Sequence, residues 1–137
     1  MSGILPEDLV SEYATDFEEC REVVQSLIQD KIVVGHGLKN DFHALQLSHP
    51  WHQIRDTTKY EPFLKPDPYH PLSLIPNKLK VLAENILGLD IQSSTHDSVQ
   101  DAQVAMLLYR NVQKQWEKAM AWKVHKTETI RNGIMVA

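Results

Sequence analysis

The sequence predicts an α/β domain, and three observations lead to that expectation. Lys31-Ile32-Val33-Val34-Gly35 is short, β-branched and apolar on both faces, which suits a central strand in a sheet covered on both sides. Several longer stretches repeat apolar residues at helical spacing. Gly35-His36-Gly37 then makes a tight, small-residue passage at the carboxyl end of that strand, where open α/β sheets place their ligands.

The elements follow in order. Ile4 to Leu9 reads as a turn-rich lead-in. Thr15-Asp16-Phe17-Glu18 is a capping box opening a helix to about Gln29, with Phe17, Cys20, Val23, Val24, Leu27 and Ile28 as its apolar stripe. Past the strand, Leu38 to Leu47 is a short helix with Leu38, Phe42 and Leu45 inward, closed by Ser48-His49-Pro50. Ile54 to Thr58 is a second, weaker strand. Tyr60 to Pro76 holds five of the seven prolines and reads as a long surface loop. A helix from Asn77 to Leu87 turns Leu79, Leu82, Ala83 and Ile86 inward and ends at Gly88 in the C′ position. Ser98 is a good N-cap for a last helix from Val99 to about Ala119, which leads into the patch Trp116, Met120 and Trp122. Residues 123–137 show no period and read as a tail. The tally of four helices and two short strands is odd, because Ile32–Val34 needs a neighbour on each edge. Leading strands are therefore expected to be missing; a mostly helical protein with a two-stranded ribbon is the alternative.

Bulk properties narrow the function. At 137 residues the chain has the length of one domain with one core. No apolar run approaches the roughly 20 residues of a membrane span, so no membrane partner is expected. The amino end has neither a basic region nor a long apolar one, leaving secretion unsupported. Cys20, the single cysteine, cannot close an internal disulfide and reads as a buried small hydrophobe. A net charge of −4 argues against holding nucleic acid by broad phosphate neutralisation, but not against an acidic pocket that holds metal ions.

Three polar sites carry the chemistry. Asp101 lies one turn into the last helix on its apolar face, five positions after His96. It is either the second half of a capping box with Ser98 or a cation ligand. Asp41 lies in the first turn of the helix after Gly35-His36-Gly37, as a helix-dipole partner or a ligand. Two carboxylates from helices that start near one strand end suit Mg²⁺ or Mn²⁺, and a histidine beside them can take a proton from an attacking water at neutral pH. That composition favours phosphodiester hydrolysis. Asp97 reads as a solvent-facing acid. His43, His49, His52 and His70 with Cys20 lack a zinc-knuckle spacing. Lys59, Lys65, Lys78 and Lys80 read as solvated lysines, with phosphate contact as the other reading. Trp51, Trp116 and Trp122 read as packing residues.

Gly35-His36-Gly37-Leu38-Lys39-Asn40-Asp41-Phe42 resembles the second exonuclease motif of the DEDDh family, and His96 with Asp101 resembles the third. Arg55-Asp56-Thr57 and Leu79-Lys80-Val81-Leu82-Ala83-Glu84 match as well, and Ser2-Gly3-Ile4 with Pro6 resembles the turn after the family's third strand. The resemblance covers roughly residues 2–118 and is nearest to the eukaryotic Rex-type RNA exonucleases and the interferon-stimulated exonuclease group. It implies a ribonuclease H-like α/β fold, N-terminally truncated with its leading strands missing, so that residues 1–122 form a partial exonuclease domain. It also implies 3′–5′ hydrolysis of RNA with two Mg²⁺ or Mn²⁺ ions, in ribosomal RNA processing. Asp101 would bind the first metal directly, Asp41 would help hold the second, and His96 would be the general base. Single-stranded RNA is the implied partner, with DNA as a second candidate, in the nucleus or nucleolus or else the cytoplasm. The family's first motif, Asp-x-Glu on the first strand, has no counterpart: Asp16-Phe17-Glu18 has the letters but opens a helix. The expectation is thus a chain that does not turn over alone, completed by a homo-oligomer or by a strand from another chain. The alternative is a catalytically inactive binding or scaffold module.

Overall fold

A computed structural model describes residues 10–91 and 97–133, the side chains of residues 10–15 excepted. The turn at Ser2-Gly3-Ile4, the lead-in from Ile4 to Leu9 and His96 lie outside the described residues. The fold is mixed α/β, in the order α1 (Val10–Ile28), β1 (Val33–Gly35), α2 (Leu38–Ala44), β2 (Ile54–Asp56), β3 (Leu64–Pro66), β4 (Leu74–Pro76), α3 (Leu79–Leu82), α4 (Ser98–Asn111) and α5 (Gln113–Arg131). Strands β1 and β2 pair in parallel, from Val33 with Ile54 to Gly35 with Asp56, and α2 is the crossover that a parallel pair requires. Among the described residues β2 is the one strand beside β1.

The core forms where α4 packs on β1 and α3. Val104, Leu108 and Tyr109 of α4 meet Leu79, Leu82 and Ala83, with Phe63, Ile91 and Trp116 closing the cluster. The helical spacing of α3 is as expected, and its final turn, Ala83–Leu87, widens to a π turn that stops at Gly88. Gly88 has φ 66°, the left-handed conformation that glycine adopts without a Cβ penalty.

Several expectations need correction. Helix α1 starts at Val10, so Thr15 is inside the helix and does not cap it. The described residues bring too little apolar surface against its stripe: Val23 and Leu27 are 58% and 60% exposed, and Cys20 is exposed, not buried. The proline-rich loop carries a small antiparallel hairpin, β3 with β4, because Pro66 and Pro76 sit at strand ends of a two-stranded ribbon. The last helix is two helices. They meet at Val112, whose φ of −124° interrupts the helical backbone, and α5 continues through residues read as a tail. Trp116 is buried as expected, whereas Trp51 and Trp122 are 45% and 61% exposed and do not act as core.

Candidate active site

Strand β1 ends at Gly35, where a Cβ would fall 2.5 Å from Cδ2 of Leu38, so the chain passes only because no side chain is there. Gly37, at φ 79°, then swings the backbone into α2. No side chain at Gly37 can cap that helix. Asp56 does so from across the sheet: its carboxylate accepts the Gly37 N–H at 2.9 Å and the Leu38 N–H at 2.8 Å. The same carboxylate accepts the Thr58 N–H at 2.9 Å and the Thr58 hydroxyl at 2.7 Å. Asp56 is buried, and these four donors replace the water it lost. Asp41 lies exposed in the first turn of the helix so anchored.

His36 sits half-buried between the two glycines. Its Nδ1–H donates to Thr57 Oγ1 at 2.7 Å, and the Thr57 hydroxyl, fully buried, donates to the Gly35 carbonyl at 3.2 Å. Burial holds the imidazole below its ordinary pKa, against the opposing charges of Asp56 and then Asp101. The charge of Asp101 is thus felt at the carboxyl end of β1, on which α4 packs.

The start of α4 differs from expectation. Its N-cap is Asp97, whose Oδ1 accepts the N–H groups of Val99 at 3.0 Å and Gln100 at 3.3 Å. Ser98 is already helical, so no capping box ties down Asp101. A carboxylate one position earlier reaches the free amides as an ion, which outcompetes the serine hydroxyl. Asp101 stays half-buried, with its own N–H on the Asp97 carbonyl at 2.9 Å.

Asp41 and Asp101 are oxygen donors of the kind Mg²⁺ and Mn²⁺ prefer, but their number is short. Among the described residues no three His, Cys, Asp or Glu side chains gather closely enough to hold a metal, Cys20 with His43, His49, His52 and His70 included. The described donor set does not complete a two-ion centre.

A second polar network fastens the site to α5. Arg55, 3% exposed, donates from Nε to Glu117 Oε2 at 2.6 Å and from Nη2 to Oε1 at 2.8 Å. Its Nη1 donates to the carbonyls of His52 and Ile54, and the Tyr109 hydroxyl donates to Glu117 at 2.8 Å. The Arg55 hydrogen bonds hold the Glu117 carboxyl below its usual 4.5. A carboxyl whose folded pKa is depressed adds stability that is full above the unfolded value and lost as pH falls through the folded one. Glu117→Gln should therefore lower the melting temperature near pH 7, with the gap to the parent narrowing below about pH 4.5. A gap independent of pH, measured by thermal melts across pH 3 to 7, would remove Glu117 from this role.

The sequence placed Arg55-Asp56-Thr57 in a second strand and in a stretch that resembles the family, without giving any of the three a role. A signal for Asp56 was present: a helix start at Gly37 without its own capping side chain needs an acceptor from elsewhere. Glu117, 62 residues beyond Arg55, carried none.

No family model matches the chain. RNA exonuclease 4 of Cryptococcus neoformans is 40% identical over 135 residues, covering 96% of this chain and 30% of that protein. RNA exonuclease 4 of Homo sapiens is 44% identical over 117 residues, covering 85% of this chain and 26% of that protein. Among solved structures, the Saccharomyces cerevisiae Pan2 pseudoubiquitin hydrolase–RNA exonuclease module in complex with AAGGA RNA superposes with a TM-score of 0.60. It is 35% identical, over 98% of this chain and 23% of that one. The mixed α/β fold is that of a ribonuclease H-like exonuclease domain. The chain is similar to the DEDDh-type RNA exonucleases, and it spans about a third or less of the length of the two curated relatives described.

Proposed function

We propose that this segment contributes to a 3′–5′ exonuclease centre acting on single-stranded RNA, in ribosomal RNA processing within the nucleus. The observation that carries the reading is the meeting of β1, α2 and α4: Asp56 of β2 anchors the start of α2, which carries Asp41, and α4, which carries Asp101, packs on β1. In this reading Asp41 and Asp101 face divalent metal ions, and His96 removes a proton from the attacking water. Bound metal would supply charge stabilisation at the phosphate. The remaining carboxylates would come from a further segment or another chain. In favour of such completion, β1 lies beside one strand among the described residues, and α4, which packs on it, leaves Val99, Met106 and Leu107 exposed by 66%, 37% and 47%. The shortage of acids among the described residues favours a second reading, an inactive RNA-binding or scaffold module.

One assay separates them. Given Mg²⁺ or Mn²⁺ and a 5′-labelled single-stranded RNA, the chain alone should show no stepwise 3′ shortening on a sequencing gel. A version extended upstream by a segment bearing Asp-x-Glu should shorten it. An extended protein that binds the RNA but leaves it intact would establish the scaffold.

A further inference from the structure

The outward side of α5 takes no part in the centre just described. The inner side is Trp116, Met120 and Val124, buried or half-buried against the body of the domain. Lys118, Trp122 and Lys126 follow one another at four-residue intervals on the opposite side, about 6 Å apart along the axis. All three are exposed. Lys126 Nζ lies 5.0 Å from the centre of the Trp122 ring, a cation–π contact. One ammonium covers one ring face, and Trp122 is 61% exposed, so most of the ring meets solvent.

Charge on this side has one sign. None of the positions three or four residues from Lys118, Trp122 or Lys126 is acidic, whereas Lys114, Lys123 and His125 are among them. The two acids of α5 are turned elsewhere: Glu117 is held by the Arg55 fork, and Glu128 lines a groove with His52 and Arg55. Asp56 and Glu61 line a separate groove on the side of Lys123, which the three column residues do not enter. The ion pairs among the described residues are Arg21–Glu18 and Arg55–Glu117, so Lys118 and Lys126 stay unneutralised. In a chain of net charge −4, this face selects an anion.

The apolar content decides which anion. A helix that lies on a membrane sinks an apolar side into it, and that side of α5 is already packed on the domain. A nucleic-acid strand carries flat rings between successive charges, which a cation–aromatic–cation column matches. A duplex keeps those rings paired, so the column fits a single strand. We propose that the outward face of α5 is a non-catalytic binding site for single-stranded RNA, in which Lys118 and Lys126 pair with phosphates and an unpaired base packs on Trp122. The choice of a nucleic-acid strand rests on the column; only the choice of RNA over DNA rests on the exonuclease reading.

The test reads binding without chemistry. Fluorescence anisotropy of a 5′-fluorescein single-stranded RNA ten-mer, in EDTA, is followed for the chain and its variants. Lys118→Gln and Lys126→Gln should each flatten the slope of log affinity against log salt by about 0.7, and Lys31→Gln, an equal loss of charge between α1 and β1, should leave it unchanged. Trp122→Ala should weaken binding about tenfold, the size of one base stacked on an aromatic ring, and Trp122→Phe should recover most of it. A double-stranded RNA of the same length should not register Trp122→Ala. The substituted side chains are exposed, and superposing circular dichroism melts would exclude unfolding as the cause. Parent-like RNA affinity in Lys118→Gln, Lys126→Gln and Trp122→Ala overturns the site and leaves the exonuclease reading standing, because that reading concerns the end of β1. If the same variants then lose binding to a polyglutamate peptide or to phosphatidylserine vesicles, that ligand is the occupant instead. Equal losses in Lys118→Gln and Lys31→Gln would reduce the effect to net charge and overturn the site as well. A parent chain that binds no RNA also overturns it, and 3′ shortening by the extended protein then decides the exonuclease reading separately.

Discussion

In the extended, active protein, Asp101→Asn is expected to reduce 3′ shortening of RNA by at least about a thousandfold with little change in stability. The amide keeps the shape of the side chain but lacks the charge that a divalent cation requires, and losing one such electrostatic partner commonly costs on the order of 10²–10³ or more in rate. The separation from stability follows from the helix start. Asp97, not Asp101, caps α4, so the substitution leaves the cap intact. Single-turnover rates for the two proteins, with melting temperatures measured alongside, check both halves. A variant that keeps more than a tenth of the parent rate would show that Asp101 is not a ligand.

Asp56→Ala should be the most damaging substitution at the site for the fold, by about 3 kcal/mol. It deletes a cap from α2, usually a loss of about 1 kcal/mol, and leaves two backbone amides and the Thr58 donors without their acceptor in a place that water does not readily reach. Asp56→Asn should recover part of this through its one carbonyl oxygen. Urea unfolding of the three proteins gives the ranking parent, Asn, Ala. In the extended protein the alanine variant should also lose activity, because the start of α2 that carries Asp41 loses its anchor. A cost below about 1 kcal/mol for the alanine would mean that the amides find another acceptor.

What could be read from the sequence was whatever is encoded by neighbours. Ile32 to Gly35 announced a strand by its unbroken apolar run, although the expected cover on both faces is not met among the described residues, where Ile32 is 45% exposed and Val33 and Val34 are half-buried. The Leu79, Leu82, Ala83 pattern with Gly88 announced a helix and its stop. The small-residue passage and Asp41 in the first turn after it were equally local. The family was legible because its motifs are short and spaced, although His96 lies outside the described residues. Other features depended on parts far apart in the chain. The β3–β4 hairpin forms because two short strands align their ends, which proline counting cannot show. The break at Val112 and the onward run of α5 depend on Trp116 docking among Tyr60, Phe63 and Tyr109. The exposure of Cys20 and Leu27 reflects what is absent opposite α1 among the described residues, and amphipathic spacing cannot report that.

The fork between Arg55 and Glu117 also limits how α5 can move. Two parallel donor–acceptor contacts have one matching alignment, unlike an apolar contact, which tolerates sliding. A shift of α5 by one helical turn, about 5.4 Å, would break both contacts together and strand a buried guanidinium. The helix is therefore keyed to β2 in a single position.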